Sequence, residues 1–323
     1  MSEFRPFFKN AHLATIAGNF WKRNLDLTRF PGRPSIWDTE PGVQVMAMSH
    51  EPGGTAIGEL FILHGLEGSH DSGYCQSLAQ TALARGFRVH RLNMRGCGGT
   101  EELSKTLYHA GLTQDLRSIL EQRRAAGHGP FCLAGFSLGG NVVLKLAGEL
   151  GEHGRELVAA VAAVSTPIDL HACCLELRKR KNRLYEERFV KSLKERYRRR
   201  ARAHPELYSL EGLDEVRTVI GFDDRITARY FGFGSAERYY ALQSSGQYVP
   251  EIRVPALVIQ AQDDPMIPFS VYERARLDRN SQVRLRATAH GGHVGFIARE
   301  RPRFWVDQPI VEFFASQVGA STR

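Results

Sequence analysis

The sequence has no CxxC pair, no HExxH signature, no internal repeat and no low-complexity linker. Its five cysteines, Cys75, Cys97, Cys132, Cys173 and Cys174, are odd in number and two are adjacent. That argues against a disulfide framework or a zinc site and for a reducing, cytoplasmic setting. The opening "MSEFRPFFKNAHLATIAGNF" lacks a continuous apolar core of signal-peptide length. The longest apolar run, "LVAAVAAV" from Leu157 to Val164, suits a buried strand and falls far short of a membrane span. No recognised nucleic-acid-binding motif accompanies the net charge of +8, so no nucleic-acid partner is expected.

The charge is concentrated. From Glu176 to Arg202 there are 13 Lys and Arg against 4 Glu, a local excess of +9, so the rest of the chain comes to −1. Such runs are usually solvated helix faces. The alternative is weak contact with an anionic membrane surface, where each cation contributes up to about 1 kcal/mol. Phe189, Leu193 and Tyr197 recur every four residues within it, an apolar stripe able either to meet lipid or to pack on the core.

Strand-length apolar runs occur at Val43–Ser49, Glu59–His64, Phe87–Asn93, Phe131–Gly135, Leu157–Val164, Ala256–Ala261 and Val283–Thr288. Several are continuous rather than alternating, as in strands covered on both faces. Helical patterns at Tyr74–Arg85, Thr113–Arg124, Leu138–Leu150 and Pro309–Val318 lie between or after them. The alternation predicts an α/β fold with a mostly parallel central sheet flanked by helices. It breaks after Thr166 and resumes at "VPALVIQAQDDP", so 166–250 reads as an inserted helical cap or lid. The core is then 36–165 and 251–323, and residues 1–35 form an extended N-terminal arm packed on it.

"CLAGFSLGGN", Cys132 to Asn141, sits between a predicted strand and a predicted helix. In that context G-x-S-x-G is a nucleophile elbow. Gly135 and Gly139 stand where the sharp turn leaves no room for a Cβ, Ser137 is lifted above the sheet edge, and the Leu138 N–H opens a helix aimed at a developing oxyanion. A serine needs a base, and that base needs an orienting acid. Asp263 and Asp264 follow one late strand, and His290 and His293 follow the last. Asp264, before Pro265, and His293, after two glycines, are the expected partners. A metal reading of the two histidines with the aspartates lacks any helix spacing to support it. Leu66, beyond His64-Gly65, is the candidate second oxyanion amide. His64 reads as structural, and Cys97, in the glycine-rich "NMRGCGGT", is the rival nucleophile.

Together "KNAHLATI", "RGCGG", "YHAGLTQDL", "GFSLGGN", "FDDRITARYFGF", "AQDDP" and "HGGHVGF" resemble the YheT-like branch of the α/β-hydrolase superfamily, from about Pro6 to Phe314. The resemblance implies a Ser-His-Asp charge relay at Ser137, Asp264 and His293. It also implies hydrolysis of carboxylic esters or acylglycerols through an acyl-enzyme, without metal or organic cofactor. Ala14 stands where that branch often has Gln. Two alternatives share the framework: an acyltransferase using an alcohol in place of water, and a non-catalytic lipid-surface binding protein.

Overall fold

The computed structural model of the chain describes residues 3–320. Among them, eight strands form one sheet: β1 (Arg33–Glu40), β2 (Val43–His50), β3 (Glu59–Leu63), β4 (Arg88–Leu92), β5 (Phe131–Phe136), β6 (Ala160–Val164), β7 (Ala256–Ala261) and β8 (Val283–Thr288). Their spatial order is β1-β2-β4-β3-β5-β6-β7-β8. The pairings β1–β2 and β2–β4 are antiparallel, and all the others are parallel.

The uninterrupted apolar runs are explained by what covers each face. Along β3, Leu60 and Ile62 join a core cluster on one side of the sheet while Phe61 and Leu63 join a second cluster on the other. Successive side chains of a strand point to opposite faces, so a strand covered twice must be apolar throughout. Five helices precede β6: α1 (Ala11–Phe20), α2 (Gly73–Ala84), α3 (Gln114–Ala125), α4 (Leu138–Leu150) and the single turn α5 (Gly154–Leu157). Leu116, Ile119 and Leu120 of α3 lie one turn apart on its inner face and pack with α4 on one side of the sheet. Leu78, Ala82 and Leu83 of α2 cover the other side with Ile310 and Phe314 of the C-terminal helix, Asp307–Ala320.

Between β6 and β7 the regular structure is helical, with no strand: α6 (Leu170–Leu177), α7 (Arg183–Ala203), α8 (Val219–Phe222), α9 (Ala228–Tyr230) and α10 (Ala236–Gln243). A π-turn, Asp223–Thr227, joins α8 to α9. Then come α11 (Ser270–Ala275) and the C-terminal helix, α12.

Three expectations change. The N-terminal segment is not simply extended: α1 occupies Ala11–Phe20, and β1 begins at Arg33, inside the segment read as an arm. β1 itself was not expected, because its exposed and covered residues alternate and it forms the sheet edge. The run Leu157–Val164 splits, since Val158 N–H closes on Gly154 O at 2.7 Å and the strand starts only at Ala160.

Candidate active site

Ser137 is the single residue between β5 and α4, with φ +50° and ψ −119°. A non-glycine residue there is strained, by about 1–3 kcal/mol. Its glycine neighbours are dictated by contact: a Cβ on Gly135 would lie 2.2 Å from Gly139 O, and one on Gly139 would lie 2.5 Å from Leu63 O. The elbow therefore packs its backbone directly against β3.

His293, in the loop after β8, places Nε2 at 3.0 Å from Ser137 Oγ and Nδ1 at 2.9 Å from Asp264 Oδ2. Asp264 lies just beyond β7 and is buried. Its Oδ1 accepts from the Met266 and Ile267 amides at 2.9 and 3.1 Å, and its Oδ2 also accepts from Gln260 Nε2 at 3.2 Å. An ionised carboxylate held by this many donors is acceptor-only, so His293 Nδ1 carries the proton and Nε2 presents a lone pair to the serine. Asp263 and His290 make a separate pair at 3.1 Å, and Asp263 Oδ1 accepts from Gly292 N–H at 2.9 Å. Each histidine thus has its own aspartate, and the outer pair braces the loop carrying the inner one. This division leaves no shared donor set of the kind a metal would require.

The loop after β3 lies against the elbow: a Cβ on Gly65 would come 3.1 Å from Ser137 Cβ. Tyr74 OH accepts from Gly65 N–H at 3.0 Å and fixes the loop there. Leu66 and Ser137 line the same cavity, and Leu138 opens α4, where its amide has no helical carbonyl one turn back. His64 is buried, donates Nδ1–H to Gly65 O at 2.7 Å and accepts the Met94 N–H at Nε2 at 3.1 Å. Accepting at Nε2 needs the neutral ring, and burial lowers its pKa to about 4. It is a loop fastener, as expected. Cys97 is buried, and burial pushes its thiol up to about 12, which removes the thiolate a nucleophile needs.

The N-terminal helix contributes a residue that the sequence did not single out. Thr15 Oγ1 accepts from His293 N–H at 2.9 Å while donating to Ala11 O at 2.7 Å. A Cβ on Gly18 would meet Gly295 Cα at 2.6 Å, so α1 and the histidine loop touch backbone to backbone. Thr15→Val keeps the shape and removes the acceptor. The expected result is roughly a tenfold fall in kcat with KM little changed, the equivalent of one lost hydrogen bond. Steady-state kinetics of the purified variant checks this, and an unchanged kcat would show that α1 does not position the ring.

Comparison with known proteins agrees with this geometry. The alpha/beta hydrolase fold family matches residues 59–300. The chain belongs to that family. This hydrolase is 32% identical to the Escherichia coli (strain K12) protein YheT, whose name gives it a provisional esterase assignment, over 99% of this chain and 95% of that one. It is 29% identical to the monoacylglycerol lipase of Saccharomyces cerevisiae over 79% of this chain, spanning 58% of the yeast protein. Among solved structures, the Pyrococcus furiosus esterase Pf2001 superposes with a TM-score of 0.61 over 92% of this chain and 98% of that one. At 16% identity the likeness is one of fold.

The hydrolase's other marked motifs are ties rather than reactive groups. Arg95 of "RGCGG" makes two bonds, at 2.7 and 2.6 Å, to Asp115 of "YHAGLTQDL". Asn141, at the end of the elbow motif, bonds Ala110 O and Gln243 O at 2.9 Å and the Ser245 amide at 2.8 Å, joining α4 to the inserted helices. In "FDDRIT", Asp224 accepts from Ala236 N–H at 3.0 Å, and Asp223 accepts from Tyr240 OH at 2.6 Å and Thr227 Oγ1 at 2.8 Å. Asp223 lies on the π-turn and lines the cavity that holds Ser137, and burial raises its carboxyl pKa to about 6.

Part of the second half of the basic segment is folded inward. Arg196 pairs with Glu67 at 2.6 Å, both side chains buried, with its guanidinium 4.5 Å from the Tyr108 ring centre. Arg200 is fully buried against the Glu101 and Ser104 carbonyls. Arg198 and Arg199 pair with Asp214 and Glu101 at 2.5 and 2.7 Å. The apolar stripe packs inward too: Leu193 and Tyr197 are buried, and Phe189 and Leu193 line the cavity over Ser137.

Proposed function

We propose that this protein is a serine hydrolase of carboxylic esters of carboxylesterase or acylglycerol-lipase type, working through an acyl-enzyme. The observation that carries the reading is the unbroken hydrogen-bond line from Ser137 through His293 to Asp264 at the floor of a mainly apolar cavity. Ser137 Oγ attacks the ester carbonyl as His293 Nε2 takes its proton. The imidazolium is stabilised by Asp264, and the Leu66 and Leu138 amides receive the oxyanion, each worth about 3 kcal/mol. His293 then protonates the leaving alcohol, and the same groups run in reverse with water to free the acid. The esterase and lipase names of the relatives support this substrate class.

In this reading residues 166–250 are a cap over the core, and the acyl group enters the cavity among Leu170, Leu177, Phe189, Leu193, Val219 and Phe222, all of them cap residues. Within the basic segment, Arg196 and Arg200 are buried against protein partners and so are withdrawn from any lipid contact. Among the described residues no helix is long and apolar enough to cross a membrane.

A fluorophosphonate probe tests the nucleophile. The wild-type protein and Cys97→Ala should label, and Ser137→Ala should not. Labelling that survives in Ser137→Ala and disappears in Cys97→Ala would sink the assignment.

A further inference from the structure

α1 has two faces of opposite character. Ala14, Thr15 and Gly18 are buried against the histidine loop. Leu13, Ile16 and Phe20 form a stripe on the other side and are 54%, 47% and 68% exposed. Single exposed apolar residues are ordinary, whereas a contiguous stripe is not. The stripe continues onto the next element. His12 Nδ1 bonds Tyr185 OH at 3.0 Å with the rings stacked, and the Arg188 guanidinium lies 5.3 Å from the Phe20 ring centre. These contacts set α1 beside the first turns of α7, where Leu184 is 80% exposed.

The same residues border an opening. Ile16, Phe20, Tyr185 and Arg188 line a cleft whose floor includes Ser137 and His293. Charge around it has one dominant sign. From Phe4 to Leu25 the chain carries Arg5, Lys9, Lys22 and Arg23 and no acid, and from Glu176 to Arg188 it carries six cations against Glu176, Glu186 and Glu187, with Lys179 and Lys181 paired to Glu176 and Arg183 to Glu187. Exposed apolar side chains ringed by Lys and Arg match a surface with an apolar interior and anionic head groups.

We propose that the outer face of α1, with Leu184, docks on an anionic lipid surface and seats the cleft against it, so that a water-insoluble ester passes from the lipid to Ser137 without crossing bulk water. This rests on the esterase reading for the substrate it delivers, but not for the docking itself. Because Thr15 on the inner face of α1 holds the His293 amide, lipid that orders the outer face also steadies the base.

Cosedimentation with vesicles of phosphatidylcholine, with and without phosphatidylglycerol, tests it. The wild-type protein should pellet with the anionic vesicles, and binding should fade with added salt. The variant Leu13→Ser/Leu184→Ser removes two exposed side chains that line neither cleft nor cavity. It should bind anionic vesicles at least about tenfold more weakly and hydrolyse a soluble p-nitrophenyl butyrate at the wild-type rate. Lys9→Ser/Lys22→Ser should weaken binding mainly at low salt. A wild-type protein that stays in the supernatant with both vesicles overturns the proposal, as does equal binding by the leucine variant. So does a dimer on size exclusion that the leucine variant converts to a monomer, since a second copy would then cover the face. A protein that binds vesicles but leaves the soluble ester intact refutes the esterase reading and leaves the docking standing.

Discussion

Replacing His293 with alanine is expected to lower kcat/KM on a soluble ester by about 10⁴-fold or more, while His290→Ala should cost at most about tenfold. The two rings are three residues apart, but their surroundings give them different work. His293 bridges Ser137 and Asp264 at 3.0 and 2.9 Å. His290 bonds Asp263 at 3.1 Å, and its contribution is to the loop that carries His293. Loss of the first ring removes the proton acceptor, and loss of the second loosens a brace. Initial rates of the two purified variants on one ester decide it. A larger loss at His290 would reverse the assignment.

Asp264→Asn is expected to cost about 10³–10⁴-fold in kcat, and Asp263→Asn far less. The reason lies in the donors around Asp264. The Met266 and Ile267 amides both point at Oδ1, so an asparagine must turn its oxygen toward them. Its NH₂ then faces His293 Nδ1 and donates to it. That forces the imidazole proton onto Nε2, where it meets the Ser137 hydroxyl and leaves no lone pair to accept from it. The same NH₂ also confronts Gln260 Nε2, a second donor. Rates for the two asparagine variants, with thermal melts to show that each is folded, give the check. Equal losses at positions 263 and 264 would remove the basis for the tautomer argument.

How far the sequence anticipated this arrangement depends on how local each cause is. The elbow was legible because the demand for glycine at 135 and 139 comes from contacts within the turn and with the next strand. The central strands were legible because cover on both faces forces continuous apolar runs. The choice of His293 over His290 could be made from two flanking glycines, but the donors that set Asp264 apart from Asp263 appear only once the loop is folded. α1 was obscured by an inversion of the usual pattern: its large apolar residues face out, and its buried face is Ala14, Thr15 and Gly18. β1 alternates exposed and covered positions and lacks an apolar run. The basic segment was visible as charge, but its acids Glu67, Glu101 and Asp214 lie in other parts of the chain. The apolar stripe at 189, 193 and 197 was visible as well, and only the packing told which way it faced.

The order of elements along the chain has a consequence for how such a protein can diversify. Ser137 follows β5, Asp264 follows β7 and His293 follows β8, so the three groups joined by hydrogen bonds all come from the sheet's own loops. Much of the cavity wall, from Leu170 to Tyr240, arrives in one uninterrupted stretch between β6 and β7. Under the proposed mechanism, drift within that stretch changes which molecules are admitted while the proton path is inherited intact. Chemistry and selectivity are thus written in separate paragraphs of the same chain, and exchanging 166–250 between relatives becomes a way to move one without rewriting the other.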